Sequence, residues 1–143
     1  MNKSKIEIGI LGGSFDPAHK GHLAISKEAR KRFKLKKIIW AITKKNPLKA
    51  VSKTPVSKRI KDCKKLIGSN TFIKVKFYED TINSNKTIDL INYLKKNKKL
   101  EIFFLMGADN LISFHKWHKS KLITEKCNII VFDRHGYKKN SLK

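Results

Sequence analysis

Two short stretches of the chain alternate apolar and polar residues, three more are almost wholly apolar or end so, and helical spacing fills the intervals. Residues 5–11 (KIEIGIL) alternate and run into Gly12-Gly13, the pattern of a strand feeding a tight turn. Residues 21–33 then carry Leu23, Ala24, Ala29 and Phe33 on one helical face and lysines on the other. Residues 37–42 (KIIWAI) predict a strand buried on both faces, and 43–54, with Asn46-Pro47, a loop. Pro55 can open a helix that reaches about Gly68, because Val56, Ile60, Cys63 and Ile67 recur at helical spacing and a glycine suits the position after the last turn. Residues 71–77 alternate as a strand, 78–86 are a polar loop, and 87–96 form an amphipathic helix through Ile88, Ile91 and Leu94. The most apolar segment, 102–106 (IFFLM), is expected as a central parallel strand closed by Gly107. A helical segment over 109–114, a short helix over 119–126 and a last strand over 128–132 follow, while 134–143 has no apolar periodicity and is expected to be a poorly ordered tail. Strands and helices in alternation with short joints predict an α/β fold: a Rossmann-like, open, doubly wound parallel sheet of about five strands with helices on both faces.

Length and composition narrow this picture. The 143 residues make one domain on a scale of roughly 150 residues each. The longest apolar runs, 102–106 and 129–132, fall far below the roughly 20 residues that cross a bilayer. The first five residues lead straight into a strand without the apolar segment of a signal peptide, so the expected compartment is the cytoplasm. Cys63 and Cys127 stand far apart and match neither a disulfide framework nor a zinc pattern, which predicts reduced core or boundary residues. A net charge of +23 is the footprint of a nucleic-acid binder, and a non-enzymatic basic binding module is the reading it suggests. Only Arg30, Arg32, Arg59 and Arg134 among the 34 basic residues are arginine, however, and the lysines are spread over the whole chain. Readers of bases and phosphates favour the arginine fork, so nucleic acid is not the expected partner. A positive surface would still concentrate small anionic substrates.

The chemistry is concentrated where the first strand meets the first helix, in GGSFDPAHKGH (residues 12–22). Gly12 and Gly13 let backbone approach a ligand, and the following helix offers unpaired N–H groups and the positive end of its dipole. His19 and His22 are three residues apart, so both rings reach one small volume and each can donate a hydrogen bond to an oxyanion. That suits phosphoryl chemistry. The glycine pattern is neither a Walker loop nor a dinucleotide fingerprint, and no third ligand stands nearby to make the histidines a zinc site. A purely structural reading, with the histidines as helix caps and the glycines as a turn, leaves unexplained why so many special residues crowd into eleven positions. A second cluster joins Gly107, Asp109 and Asn110 to Trp117 and His118. Asp109 can accept hydrogen bonds from a ribose or a base amine, and Trp117 offers a flat platform for an electron-poor ring.

GGSFDPAHKGH closely resembles the signature of the nucleotidylyltransferase superfamily with its paired-histidine HxGH element. Phosphopantetheine adenylyltransferases and cytidylyltransferases share that element, so it points to reaction class more than to substrate, and another such transferase is the alternative. MGADNLISFHKWHK (residues 106–119) resembles the GxD and tryptophan-containing segment of bacterial nicotinate mononucleotide adenylyltransferases. Asn46-Pro47-Leu48-Lys49 and Asn85-Lys86-Thr87 resemble that family's substrate loops, with Lys86-Thr87 in place of the usual Tyr-Thr. Arg59 falls where the family commonly has an arginine after its substrate loop, and Phe132-Asp133-Arg134-His135-Gly136 is similar to its Arg-Pro-Gly stretch with His135 in place of proline.

The resemblance implies transfer of the adenylyl group of ATP to nicotinate mononucleotide, releasing pyrophosphate. It implies His19 and His22 as catalytic residues, and ATP held by Gly12, Gly13, Ser14, Phe15, His19, Gly21, His22, Gly107 and Asp109. Asn46, Lys49, Arg59, Thr87, Trp117, His118 and Arg134 are implied on the mononucleotide. Mg²⁺ would bridge the phosphates without a dedicated protein site. Family members end with a Ser/Thr-rich turn and an arginine at the start of a helix that holds ATP phosphates. Ser141 is only a faint echo of it, so the resemblance implies a chain lacking that segment and little or no activity from these 143 residues alone.

Overall fold

The computed structural model describes residues 5–44 and 54–132. Its elements run in the order β1 (Ile6–Gly13), α1 (Lys20–Phe33), β2 (Lys37–Ile42), α2 (Val56–Ile67), β3 (Ile73–Lys76), α3 (Glu79–Ile82), α4 (Thr87–Leu94), β4 (Leu100–Gly107), α5 (Ala108–Phe114), α6 (Ser120–Lys126) and β5 (Asn128–Phe132). All four strand pairings are parallel, and the sheet order is β3-β2-β1-β4-β5. The chain winds outward from β1 through β2 to β3, then returns to the other side of β1 for β4 and β5. This is the expected doubly wound sheet, with its switch point between β1 and β4. A crevice opens beyond the carboxyl ends of neighbouring strands at such a point.

Side chains sort onto the two faces with strand period. Leu11, Ile38, Trp40, Ile42, Leu105, Ile130 and Phe132 pack with Ala29 of α1 and Cys63 and Ile67 of α2. Ile8, Ile10, Ile39, Ala41, Ile102, Phe104 and Met106 pack with Ile88, Ile91 and Leu94 of α4, Phe114 of α5 and Ile123 of α6. Burial on both faces explains why KIIWAI and IFFLM read as unbroken apolar runs. Gly9, central in β1, is closely packed: an added Cβ would lie 2.7 Å from Ile38 Cδ1 and force that side chain to shift.

Most boundaries match the pattern, with informative differences. β1 and β4 extend through Gly12-Gly13 and Gly107, so the glycines are the last pleats of strands and not free turns. β3 is shorter than the 71–77 alternation, and α3 forms one helical turn inside the expected polar loop. The amide of Ser84 closes that turn on the Glu79 carbonyl at 3.1 Å. Cys63 is buried and Cys127 half-buried, both as free thiols, and burial pushes each up to about 11. Among the described residues no helix is long and apolar enough to cross a membrane. The expected disordered tail, 134–143, lies outside the described residues.

Candidate active site

The β1–α1 junction is built by its own side chains. His19 is the N-cap of α1, extended in backbone, and its Nδ1 accepts from the Gly21 amide at 3.1 Å. Three residues on, the Nδ1 of His22 accepts from the His19 amide at 3.0 Å. The two histidines thus form a reciprocal capping box, satisfying two donors that a helix start leaves orphaned. The cap also decides the chemistry. With Nδ1 accepting in both rings, each neutral imidazole carries its proton on Nε2, the donor that an oxyanion needs. Capping through Nδ1 therefore leaves the Nε2 of each ring available as a donor. Gly21 follows from the same geometry, since an added Cβ would meet the His19 ring at 2.9 Å.

A line of rings ties the histidines to the core. Trp40 of β2 is fully buried, Phe15 stacks on it at 5.0 Å between centroids, His22 lies 4.5 Å from Phe15, and His19 lies 4.0 Å from His22. Phe15 takes a left-handed backbone, φ 53°, to reach this place, a conformation that disfavours non-glycine residues and recurs at functional sites. Beneath the rings, Trp40 Nε1 donates to Ser26 Oγ at 2.8 Å, and Ser26 Oγ donates to the His22 carbonyl at 2.8 Å. Because Phe15 is 2% exposed, only its backbone is left to meet a nucleotide.

Beyond the strand ends lies a cavity of about 220 Å³. Gly12, Gly13 and Thr43 wall one side, Asn85, Lys86 and Thr87 another, and Lys116, Trp117 and His118 a third, over a floor that includes Phe104. Trp117 is held edge-on by Phe104 at 5.8 Å and Phe114 at 5.1 Å, which fixes its plane while leaving it half-buried on the cavity. Lys86 and Lys116 are among the lining residues. This wall favours an anionic guest.

Of the expected residues, the structure brings Gly12, Gly13, Thr87, Trp117 and His118 onto one cavity, with Ser14, His19, Gly21 and His22 on the adjoining loop and helix start. Gly107 ends β4 and caps α5, and Asp109 is described by its backbone in the first turn of α5. Asn46, Lys49 and Arg134 lie outside the described residues. Arg59 departs from expectation. It is 2% exposed, and its guanidinium is spent on backbone carbonyls: Nη1 on Ser14 and Thr43, Nη2 on Lys44, Nε on Thr54, at 2.7–3.0 Å. In place of the expected ligand contact, the side chain clamps the backbone of the segments after β1 and β2. Thr43, Asn85, Lys86, Asn110 and Lys116 were missed as lining residues, although all but Thr43 stand inside or beside quoted motifs. Glu79 of α3 was missed as well. Its Oε1 accepts from the Lys44 amide at 3.0 Å, and burial raises its carboxyl above the usual range.

Comparison with known proteins agrees with this geometry. The model of the cytidylyltransferase-like family matches residues 10–142. The probable nicotinate-nucleotide adenylyltransferase of Pelagibacter ubique is 68% identical over all of this chain, which spans 79% of that protein. That of Agrobacterium fabrum is 38% identical over 90% of this chain and 70% of its own length. Among solved structures, the nicotinic acid mononucleotide adenylyltransferase of Plasmodium falciparum complexed with NaAD superimposes with a TM-score of 0.76 over 90% of this chain and 65% of that one. At 20% identity this likeness speaks for the fold alone. Sheet order, histidine cap and sequence relationship converge, and the chain belongs to the cytidylyltransferase-like family, alongside its nicotinate-nucleotide adenylyltransferases.

Proposed function

We propose that the chain transfers the adenylyl group of ATP to nicotinate mononucleotide, giving deamido-NAD and pyrophosphate, a cytoplasmic step of NAD biosynthesis. The observation that carries this reading is the single cavity shared by the glycine end of β1 and the Thr87–Trp117–His118 wall. Paired-histidine chemistry at one side and a ring platform at the other match a reaction that joins two nucleotides.

A phosphate oxygen of the mononucleotide attacks the α-phosphorus of ATP, the new P–O bond forms in line, and the bond to the β-phosphate breaks to release pyrophosphate. The attacking oxygen is already anionic, so no side-chain nucleophile is needed, and catalysis consists of positioning and charge stabilisation. Nε2–H groups of His19 and His22 donate to the α-phosphate oxygens and the departing pyrophosphate. The N-terminus of α1 and the amides of Ser14 and Phe15 add fixed positive dipoles. Gly107 and Asp109 hold the ATP side. Thr87, Trp117 and His118 face the nicotinate side, with Asn46, Lys49 and Arg134 as further contacts. Mg²⁺ would arrive on the nucleotide and need few protein ligands. Bound there, Mg²⁺ supplies neutralising charge for the phosphates.

Fluorescence tests the acceptor side. The chain has two tryptophans, one buried and one on the cavity. Nicotinate mononucleotide is expected to quench emission in the native chain and not in Trp117→Phe, while phosphopantetheine quenches neither. Equal quenching by phosphopantetheine, or quenching that survives Trp117→Phe, would remove the nicotinate ring from this wall.

A further inference from the structure

The loop after β1 leads to the two histidines, and the segment after β2 opens with Thr43 on the cavity wall. Their last backbone link is the Thr43 amide on the Gly13 carbonyl at 2.9 Å. Among the described residues, the Arg59 side chain spans the gap beyond it. Arg59 Nη1 donates to Ser14 O at 2.8 Å in the phosphate-side loop and to Thr43 O at 2.7 Å in the acceptor-side loop. Nη2 donates to Lys44 O at 3.0 Å, and Nε to Thr54 O at 3.0 Å. The Lys44 peptide is gripped from the opposite side as well, because its amide donates to Glu79 Oε1 at 3.0 Å. Arg59 itself stands in the first turns of α2, whose Cys63 and Ile67 are sunk in the core, so the clamp has a rigid base. It does not line the cavity.

We infer that Arg59 is a positioning residue for adenylyl transfer: its planar fork sets the separation between the Ser14 loop that leads to the histidines and Thr43 on the cavity wall. Arginine is required because its donors diverge in fixed directions and reach both loops at once, whereas a lysine ammonium is a compact point on a flexible stem. Ser14 precedes the strained Phe15 and the ring line to His22, so a shift of the Ser14 carbonyl passes directly to the imidazoles. Misplacement of reacting groups by an ångström lowers rate by up to about 100-fold without any lost ligand contact.

The inference rests on the adenylyl-transfer reading, and turnover by the unmodified protein with ATP, Mg²⁺ and nicotinate mononucleotide separates the two. No turnover there contradicts that reading and the inference with it. Given turnover, Arg59→Lys and Arg59→Met are compared in the same background at a temperature where far-UV circular dichroism shows each folded. Expected are kcat losses of about 10-fold for Lys and about 100-fold for Met, with the lysine variant rescuing part of the rate. A kcat and both KM values within twofold of the unmodified chain, with only the melting temperature lowered, would overturn the inference and leave Arg59 as a structural residue. Should neither variant fold, the Nε–H resonance of Arg59 in the unmodified chain, assigned by Arg→Lys replacement of the three other arginines, provides the test. It is expected to shift on saturation with nicotinate mononucleotide and with a non-hydrolysable ATP analogue, each alone. A signal indifferent to both would overturn the inference.

Discussion

Single residues here carry two duties, and the two can be separated by measurement. His22 caps α1 through Nδ1, which leaves Nε2 for the proposed phosphate chemistry. His22→Ala is expected to lower kcat by at least about 100-fold, the typical loss for one oxyanion donor. The same change weakens the cap by about 1 kcal/mol. Urea denaturation reads the second effect and pyrophosphate release the first. An intact rate in His22→Ala would remove the residue from the chemistry. The histidines were legible in the sequence because spacing at a helix start is a local property. Arg59 was misread because sequence shows a charge but not the four carbonyls that surround it. The buried thiols give a pH test with a definite sign. Cys63 and Cys127 rise from 9.0 to about 11 in the folded state, so the fold holds their protons more tightly than the unfolded chain does. Their contribution to stability is complete below pH 9 and is lost as pH rises towards 11. A Cys63→Ala, Cys127→Ala chain should show a shallower fall of melting temperature across that interval. An identical fall in both chains would assign the alkaline transition to other groups.

At the scale of elements, what sequence reveals is periodicity and what it hides is the hydrogen bond between distant elements. Helices α1, α2 and α4 and all five strands follow from apolar spacing, because one stripe or both faces must be covered. The single turn of α3 went unread, since four residues are too few to display a helical period. The bond from Trp40 in β2 to Ser26 in α1 is equally invisible in the chain, yet both residues are completely buried. Ser26 accepts from the indole and donates onward to the His22 carbonyl, so it fixes the first turn of α1 against the sheet. Ser26→Ala would leave the Trp40 N–H buried without an acceptor, at a cost of about 1–3 kcal/mol. Chemical denaturation should record that loss, and Ser26→Thr, which keeps the hydroxyl, should recover part of it. Unchanged stability in Ser26→Ala would mean that the indole finds another partner.

Across the whole molecule, two properties act on the cavity together: strand order places it, and net charge fills it. The return of the chain from β3 to the far side of β1 makes β1 and β4 neighbours, so the Gly12-Gly13 end and the Trp117 wall meet although they are about a hundred residues apart. Strand alternation made the class of fold legible. The pairing of the two motifs became legible only through family resemblance, because spacing alone does not say which strand ends are adjacent. The chain carries a net charge of +23, and Lys86 and Lys116 line the cavity. Both substrates are anions, so kcat/KM is expected to fall as salt rises and the screening length drops to about 8 Å or less, while kcat stays nearly constant. A salt-independent kcat/KM would mean that the lysines do not guide the substrates. The most direct test of the account is pyrophosphate release with ATP and Mg²⁺, from the chain and from its C-terminally extended version, offered nicotinate mononucleotide or phosphopantetheine. The account predicts turnover with nicotinate mononucleotide and none with phosphopantetheine. Turnover with phosphopantetheine alone, or none in either version alongside tight, steeply salt-dependent binding of oligonucleotides, would contradict it.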